Sequence, residues 1–425
     1  MSSGLVYRTT SFATDAPFFG GSARPFSQGT RMPGEPARAR LPWPGGAADR
    51  GRRARDTAQS LPARADLSPE LEGARTSAEM EQPVQFDTTA IQDAAQAMEG
   101  ILRLHRRAIH RQPELGFAEH RTAGYIESVL SELGVPHRRV VGTGIVAVLE
   151  GSGAGCVGVR ADIDALPVSE ALGREGYRSE IDGVSHACGH DAHVAVALGL
   201  AKLLAGVDDL PGTVVLYFQP AEEGPGGATP MVAAGVLDDP APQAVLGLHV
   251  STRHPSGVVA LRYGPATGSD DGFDITIHGA GGHAAHPDTA IDPVPVAAQI
   301  ITAIQLIMTR EVDPVTPAVC TFGSIHGGSR HNVIAPSVAL QGTLRTVDEE
   351  VRALLVARIG EVAQGIASAH RAKASIAHRA GYDAGFNDPA LSELVATSAR
   401  SVLSEHRVLT ESKPSLGGED FYAFG

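Results

Sequence analysis

The chain has 425 residues, more than one ordinary hydrophobic core holds, so its length predicts two folded units with additional segments. Its formal net charge of −13 argues against nucleic acid or an anionic membrane as a partner, because phosphate binding needs a clustered positive field. No apolar run is long enough to span a bilayer, and a small-molecule substrate is therefore favoured.

The N-terminal segment and the cysteines bear on the compartment. Residues 1–79 are rich in Arg, Pro, Gly and Ala without helical or strand periodicity. They are predicted to be disordered or an over-extended N-terminus, with Met80 as the alternative start; a transit peptide is the competing interpretation. Three cysteines are too few, and odd in number, for a disulfide framework, which favours a reducing, cytoplasmic location.

From Asp87 onward, helical and strand patterns alternate. The predicted elements are a helix from about Thr88 that ends before Pro113, a helix at 119–133, strands at 145–149 and 157–161, a helix at 190–204, and strands at 213–219 and 244–250. This alternation predicts a sheet covered by helices, an α/β fold.

From Phe273 the order of elements changes. Strands are predicted at 273–278, 318–325, 337–345 and 373–379, with helices at 293–310 and 348–369. This βαββαβ order is ferredoxin-like. A further helix near Pro389–Leu403 needs a sheet to cover, so residues 269–379 are predicted to be inserted into one α/β unit made of 80–268 and 380–425.

The densest polar cluster lies at His186–His193, where a loop is predicted to enter a helix. Cys188 and His190 are separated by one glycine, and both can turn toward a single metal ion. The competing interpretation is a redox or core cysteine beside helix-capping residues.

Carboxylates and a histidine follow three of the predicted strands. Glu222 and Glu223 occupy a turn at the carboxyl edge of the sheet, where open α/β sheets bind ligands. One could coordinate a cation while the other accepts a proton from water. His249 ends the next strand, and Asp162 and Asp164 end an earlier one. Taken singly, each of these side chains could be an ordinary residue of a solvated turn or of the core. Because they are expected to converge at one edge of the sheet, a single metal site is favoured.

Six motifs, in this order along the chain, resemble the M20 metallopeptidase family. They are Arg160–Pro167, His186–Asp191, Pro220–Glu223, Gly247–His249, Gly282–Ala284 and Gly417–Phe421. As a set they are highly specific, and they are most similar to the amidohydrolase branch of hippurate, N-acyl-amino-acid and auxin-conjugate hydrolases. The resemblance implies a mixed-sheet, zinc-peptidase-like catalytic domain with an inserted lid and dimerisation domain.

The resemblance also implies a site for two divalent ions, with zinc, manganese, cobalt or nickel as candidates. The implied metal ligands are Cys188, His190, Glu223 and His249. Glu222 would be the general acid and base, and Asp164 would orient a ligand from behind. Asp162, Asp191 and His193 stay supporting candidates.

Three residues of the inserted segment are implied to contact the substrate. His283 would face the developing oxyanion, commonly from the partner subunit, which requires a homodimer formed through the lid domain and lid closure. An ordinary turn histidine is the competing interpretation, with His286 as a rival for the role. Asn332 and Arg345 resemble positions near the substrate, and an arginine suits a free carboxylate.

The expected activity is hydrolysis of the amide bond of an N-acyl amino acid, of the hippurate or N-acetyl type. A dipeptidase or aminopeptidase of the same fold is one alternative, and a non-catalytic metal-binding dimerisation module is another. A nucleotide-binding oxidoreductase is weakly supported, because Gly151–Gly155 precedes a strand and opens no helix. Relatives continue beyond Gly417–Phe421 to a further histidine ligand, whereas this sequence ends at Gly425, so we expect the chain to be poorly active.

Overall fold

The computed structural model describes residues 3–9, 87–171 and 176–425, with side chains from residue 87 onward. The predicted disorder of residues 1–79 lies outside these ranges except at Ser3–Thr9, whose backbone forms a strand. The central Leu-Val-Tyr run of this strand has strand propensity.

The described residues form sixteen strands and eight α-helices. The strands are β1 Ser3–Thr9, β2 His137–Val140, β3 Gly144–Leu149, β4 Gly155–Asp162, β5 Gly212–Gln219, β6 Ala244–Val250, β7 Val259–Leu261, β8 Gly264–Thr267, β9 Asp271–His278, β10 Gly282–His283, β11 Ala318–Gly327, β12 Val333–Ile334, β13 Ser337–Thr346, β14 Lys373–Ala380, β15 Gly385–Asn387 and β16 Val408–Thr410. The helices are α1 Thr88–Ala97, α2 Glu99–Arg111, α3 His120–Glu132, α4 His190–Ala205, α5 Ala228–Ala233, α6 Pro293–Arg310, α7 Glu349–Ala369 and α8 Pro389–Val402.

The large sheet has eight strands in the order β16-β7-β1-β6-β4-β5-β3-β2. β4 is parallel to both β5 and β6, while β3 is antiparallel to β5 and β2. The sheet is therefore mixed, and the predicted α/β class is confirmed. Because β4, β5 and β6 run in one direction, their carboxyl ends meet at one edge.

An apolar core fixes the helices onto this sheet. Leu216 and Phe218 of β5 are fully buried in one apolar cluster with Val194 and Leu198 of α4, a helix that packs mainly on β4 and β6. α4 is apolar around most of its surface, as expected for a helix covered on several sides. Because α4 is buried against the sheet, its first turn lies over the carboxyl ends of the parallel strands.

Residues 271–380, here called the smaller unit, form a separate four-stranded antiparallel sheet with α6 and α7. The strand order β11-β13-β9-β14 is that of a ferredoxin-like βαββαβ fold. Its own apolar core includes Ile275, Ile300 and Leu340, all fully buried. The chain leaves the large sheet after β7 and rejoins it at β16, and the intervening strands β8 and β15 pair with each other.

Some predicted boundaries differ from the observed ones. The single helix predicted before Pro113 is two helices, α1 and α2, that meet at Met98. Gly100 follows this break, and glycine is a poor helix former. The short strands β2, β7, β8, β15 and β16 have too few residues for a readable alternation. Among the described helices, none combines the length and apolar character needed to cross a membrane.

Candidate metal centre

The four predicted metal ligands converge at the carboxyl edge of the parallel strands. Ligand atoms of Cys188, His190 and His249 lie within 4.8 Å of one another, and so do those of His190, Glu222 and Glu223. The Cys188 Sγ atom is 3.3 Å from His249 Nε2. His190 belongs to both groups, so its imidazole stands at the centre of the cluster.

Gly189 sets the geometry between Cys188 and His190. Its φ of 97° is in the left-handed region, and a Cβ there would lie 2.5 Å from Val250 Cγ2. Only glycine satisfies both conditions. The chain therefore turns sharply into α4, and the thiol and the imidazole on either side of the turn face the same space.

The loop that carries Glu222 and Glu223 is held from behind by Glu119. Ala221 has a φ of 55°, and its amide donates to Glu119 Oε1 at 2.9 Å. The other oxygen of the fully buried Glu119 accepts from the Thr143 hydroxyl at 2.6 Å. This buried carboxylate thus fixes an unusual backbone conformation next to the two glutamates. Sequence interpretation missed it, since nothing in the sequence pairs residue 119 with residue 221.

Asp164 supports two ligands at once. Its Oδ1 is 3.2 Å from His190 Nδ1, and its Oδ2 accepts the Glu223 amide at 3.0 Å. The first contact leaves His190 Nε2 for a cation, as is usual for a histidine ligand. The orienting role of Asp164 stays a prediction, and these two contacts are the geometry on which it depends.

The donor set fits a metal ion. His190 Nε2 and Glu223 Oε1 are buried and have no hydrogen-bond partner among the described residues. Leaving such atoms without a partner costs about 1–3 kcal/mol each, and a cation between them would remove that cost. Sulfur, nitrogen and carboxylate oxygen together suit zinc or a similar borderline ion better than magnesium or calcium.

The pKa values of the predicted ligands link the binding of a metal ion to the release of protons. Burial raises the pKa of the Cys188 thiol to about 11. Burial lowers the pKa of His190, but Asp162 and Asp164 raise it well above its ordinary value overall. Burial lowers the pKa of His249, which leaves it neutral. A cation must therefore displace protons from Cys188 and His190.

Glu222 is the carboxyl group best suited to carry a proton here. It is only 8% exposed, and burial, followed by the Glu419 carboxylate, raises its pKa to about 10. A cation at the neighbouring ligands would lower that value toward neutrality, where proton transfer is most effective.

A buried ionic network lies beneath the centre and is centred on Arg160. Its guanidinium contacts Asp162 at 2.7 Å, Glu419 at 2.9 Å and Asp420 at 3.2 Å, and its Nε donates to Gln219 at 2.7 Å. The sequence motifs contained these residues, but their pairing joins segments about 260 positions apart and could not be predicted.

The supporting candidates also lie in networks around the ligands. Asp162 Oδ1 is 2.5 Å from His193 Nδ1, and His193 Nε2 accepts the Val250 amide at 2.9 Å. Asp191 Oδ2 accepts from Arg106 at 3.1 Å and contacts His110 at 2.8 Å. These contacts hold the first turn of α4 to β4 and α2, and so position the ligands of that turn.

The predicted substrate residues of the smaller unit are not brought to the cluster. His283 and Asn332 are exposed on the paired strands β10 and β12 and the adjoining loop, and the Ala284 amide donates to the Asn332 carbonyl at 3.2 Å. Arg345 lies where the smaller unit joins the rest of the protein. Its Nη1 atom is 2.5 Å from Asp270 Oδ1, so the two side chains form an ion pair, but the atoms are not aligned as in a hydrogen bond. Their roles stay predictions.

An open cavity of about 490 Å³ gives access to the cluster. Residues that line it include Arg106, Cys188, Glu222, His249, Arg253 and Glu419. This volume accommodates a small molecule. A buried sulfur, nitrogen and carboxylate donor set beside a proton-carrying glutamate, at the rim of a mixed α/β sheet, defines a metal-dependent hydrolase.

Comparison with known proteins agrees with this class. Residues 158–425 match the model of Peptidase family M20/M25/M40, and the chain belongs to that family. It is 40% identical to thermostable carboxypeptidase 1 of Saccharolobus solfataricus over 75% of this chain and 81% of that protein. It is also 40% identical to the N-acetyl-L-cysteine deacetylase of Bacillus subtilis, over 74% of this chain and 75% of that protein.

A solved structure supports the same assignment. The Bacillus subtilis YXEP protein, described as a dinuclear metal-binding peptidase of the M20 family, matches with a TM-score of 0.68 and 33% identity. The match covers 77% of this chain and 86% of that one. The protein is therefore a metal-dependent amide hydrolase of the M20 family.

Asp164→Asn will lower zinc affinity by about 10- to 100-fold, because an asparagine side chain can accept only one of the two hydrogen bonds that orient His190 and Glu223. Competition with a chromophoric chelator measures the affinity. Asp93→Asn, on the exposed surface of α1, is the matched control and will bind zinc as the wild type does. Equal affinity in both variants would contradict the orienting role of Asp164.

Proposed function

We propose that this protein hydrolyses the amide bond of N-acyl amino acids of the N-acetyl or hippurate type, in the cytoplasm. The observation that carries the proposal is the convergence of Cys188, His190, Glu223 and His249 around one buried space with Glu222 beside it. The similarity to an N-acetyl-L-cysteine deacetylase supports the acyl amino acid as substrate class.

Two divalent ions, of zinc, manganese, cobalt or nickel, would be held by the four ligands, with His190 between the two groups of donors. When bound, they would polarise the scissile carbonyl and lower the pKa of a water molecule. The dinuclear metal content described for the related YXEP protein supports this number of ions.

Glu222 would move the proton in this reaction. Its buried carboxylate would accept a proton from the attacking water and donate it to the departing amine. The adjacent Glu419 carboxylate disfavours the charged form of Glu222, so the carboxyl group holds the proton between the two steps.

The smaller unit would act as a lid and as the surface of a homodimer. His283 would donate a hydrogen bond to the developing oxyanion, and Asn332 and Arg345 would contact the substrate. The exposure of His283 and Asn332 supports roles that require closure or a second subunit. A carboxypeptidase activity is the second candidate, because similarity to thermostable carboxypeptidase 1 is equally high.

A substrate panel separates these activities. The zinc-loaded protein will hydrolyse N-acetyl amino acids or hippurate faster than dipeptides with a free amine, measured by the amino acid released. Preference for free-amine dipeptides would favour the dipeptidase alternative, and preference for longer peptides the carboxypeptidase. Two tightly bound ions with no turnover of any of these substrates would favour a non-catalytic metal-binding module.

A further inference from the structure

Two short segments connect the smaller unit to the large sheet, and they are tied together. The first runs through Asp270 and the second through Gly381 and Tyr382. The Asp270 amide donates to the Tyr382 carbonyl at 2.9 Å, and a Cβ at Gly381 would overlap the Asp270 carbonyl oxygen. The two crossing segments therefore form one narrow, closely packed hinge.

The side chain of Tyr382 reaches from this hinge to the loop that carries the two glutamates. Its hydroxyl donates to the Glu222 carbonyl at 2.8 Å and lies 3.3 Å from the Gly224 carbonyl. Its ring packs on Gly226, where a Cβ would come within 3.1 Å of Tyr382 Cε1. Tyr382 thus contacts the backbone on both sides of Glu223, while Glu119 holds the loop at Ala221.

The same hinge segment is fixed to the smaller unit. Asp383 is 2.5 Å from Nη1 of Arg352 in the first turn of α7, and Arg352 Nε donates to the fully buried Asp271 at 2.7 Å. A continuous set of contacts therefore runs from α7 through Asp383 and Tyr382 to the backbone of the glutamate loop. A rotation of the smaller unit cannot leave that loop unaffected.

We propose that Tyr382 is a positioning residue that couples the orientation of the smaller unit to the placement of Glu222 and Glu223. The smaller unit, through Arg352 and Asp383, would bring the glutamates into their catalytic geometry only in one orientation. The expected effect on catalysis rests on the proposed function, whereas the expected effect on the structure of the glutamate loop does not.

The structural consequence is tested without turnover, by hydrogen–deuterium exchange in the zinc-loaded protein. In Tyr382→Phe, which keeps the ring and removes the hydroxyl, residues 220–227 will exchange several-fold faster than in the wild type. Tyr263→Phe is the matched control, because its hydroxyl bonds Glu393 at 2.7 Å on the exposed surface. Equal exchange of residues 220–227 in all three proteins would overturn the proposal.

A mutant cycle distinguishes coupling from a merely structural tyrosine. Asp383→Ala, at a side chain that is 82% exposed, will also speed exchange of residues 220–227 in the wild-type background. It will add nothing in the Tyr382→Phe background, because the connection is already broken. Additive effects would overturn the coupling.

The catalytic consequence is a split between kcat and KM. With an N-acetyl amino acid, Tyr382→Phe will lose about 10-fold or more in kcat with little change in KM, because the ligand cavity is kept and the proton carrier is misplaced. An unchanged kcat would contradict the positioning role. A wild-type protein without turnover would instead refute the proposed function, and the exchange experiments would still decide the coupling.

Discussion

The Glu222→Gln variant will hydrolyse an N-acyl amino acid about a hundredfold to ten-thousandfold more slowly than the wild type, with its bound zinc unchanged. Glutamine keeps the size and burial of the side chain but cannot accept and return a proton. Glu222 also lies beside the predicted ligands without being one of them, so metal content, measured by mass spectrometry of the desalted protein, will stay the same.

The neighbouring glutamate provides the matched control. Glu223→Gln removes a predicted metal ligand whose Oε1 atom is buried without a hydrogen-bond partner, so it will lose zinc together with activity. The two adjacent variants thus separate proton transfer from coordination. Wild-type turnover by Glu222→Gln, or loss of zinc in it equal to that of Glu223→Gln, would refute the assigned role.

The mixed sheet was predictable because its central strands have simple signals. Leu216 and Phe218 lie in a continuous apolar run typical of a strand buried on both faces, and the helix after Gly189 carries a long apolar repeat. Polar residues at the ends of such strands meet at one edge, so Cys188 and His249 were expected to be neighbours. Their separation of 3.3 Å agrees with that argument.

The contacts that hold the site could not be predicted, because they join segments that are remote in sequence. Glu119 is simply the first residue of the helix predicted at 119–133, and its bond to Ala221 depends on how α3 packs against the glutamate loop. Tyr382 likewise follows a strand of the smaller unit, and nothing in the sequence connects it to Glu222. Periodicity determines which face of an element is buried, but not which polar group it meets there.

Arg160→Met will destabilise the folded protein by about 3–5 kcal/mol, because it removes the cation from a buried group of carboxylates. Arg160 is only 3% exposed and contacts Asp162, Glu419 and Asp420. Methionine fills a similar volume, but the carboxylates then stay buried without their main opposing charge. Urea unfolding, followed by circular dichroism at a fixed zinc concentration, measures the loss.

The destabilisation caused by Arg160→Met depends on pH, and the pKa of Asp162 determines the direction of that dependence. Burial alone would raise the pKa of Asp162, but Arg160 and the neighbouring histidines hold it well below its ordinary value. A depressed carboxyl pKa stabilises the fold above the unfolded pKa, and the contribution is lost as the pH falls through the folded value. The difference between wild type and Arg160→Met will therefore be fully present above the ordinary Asp162 pKa of 3.8, and it will be smaller below about pH 4 than at about pH 7.

Arg358→Met is the matched control for this experiment. Arg358 pairs with Glu311 on the surface of the smaller unit, where water screens the charges, so its loss will change the unfolding midpoint little. If Arg160→Met were equally mild, the buried carboxylates around residue 160 would not need the guanidinium as their opposing charge.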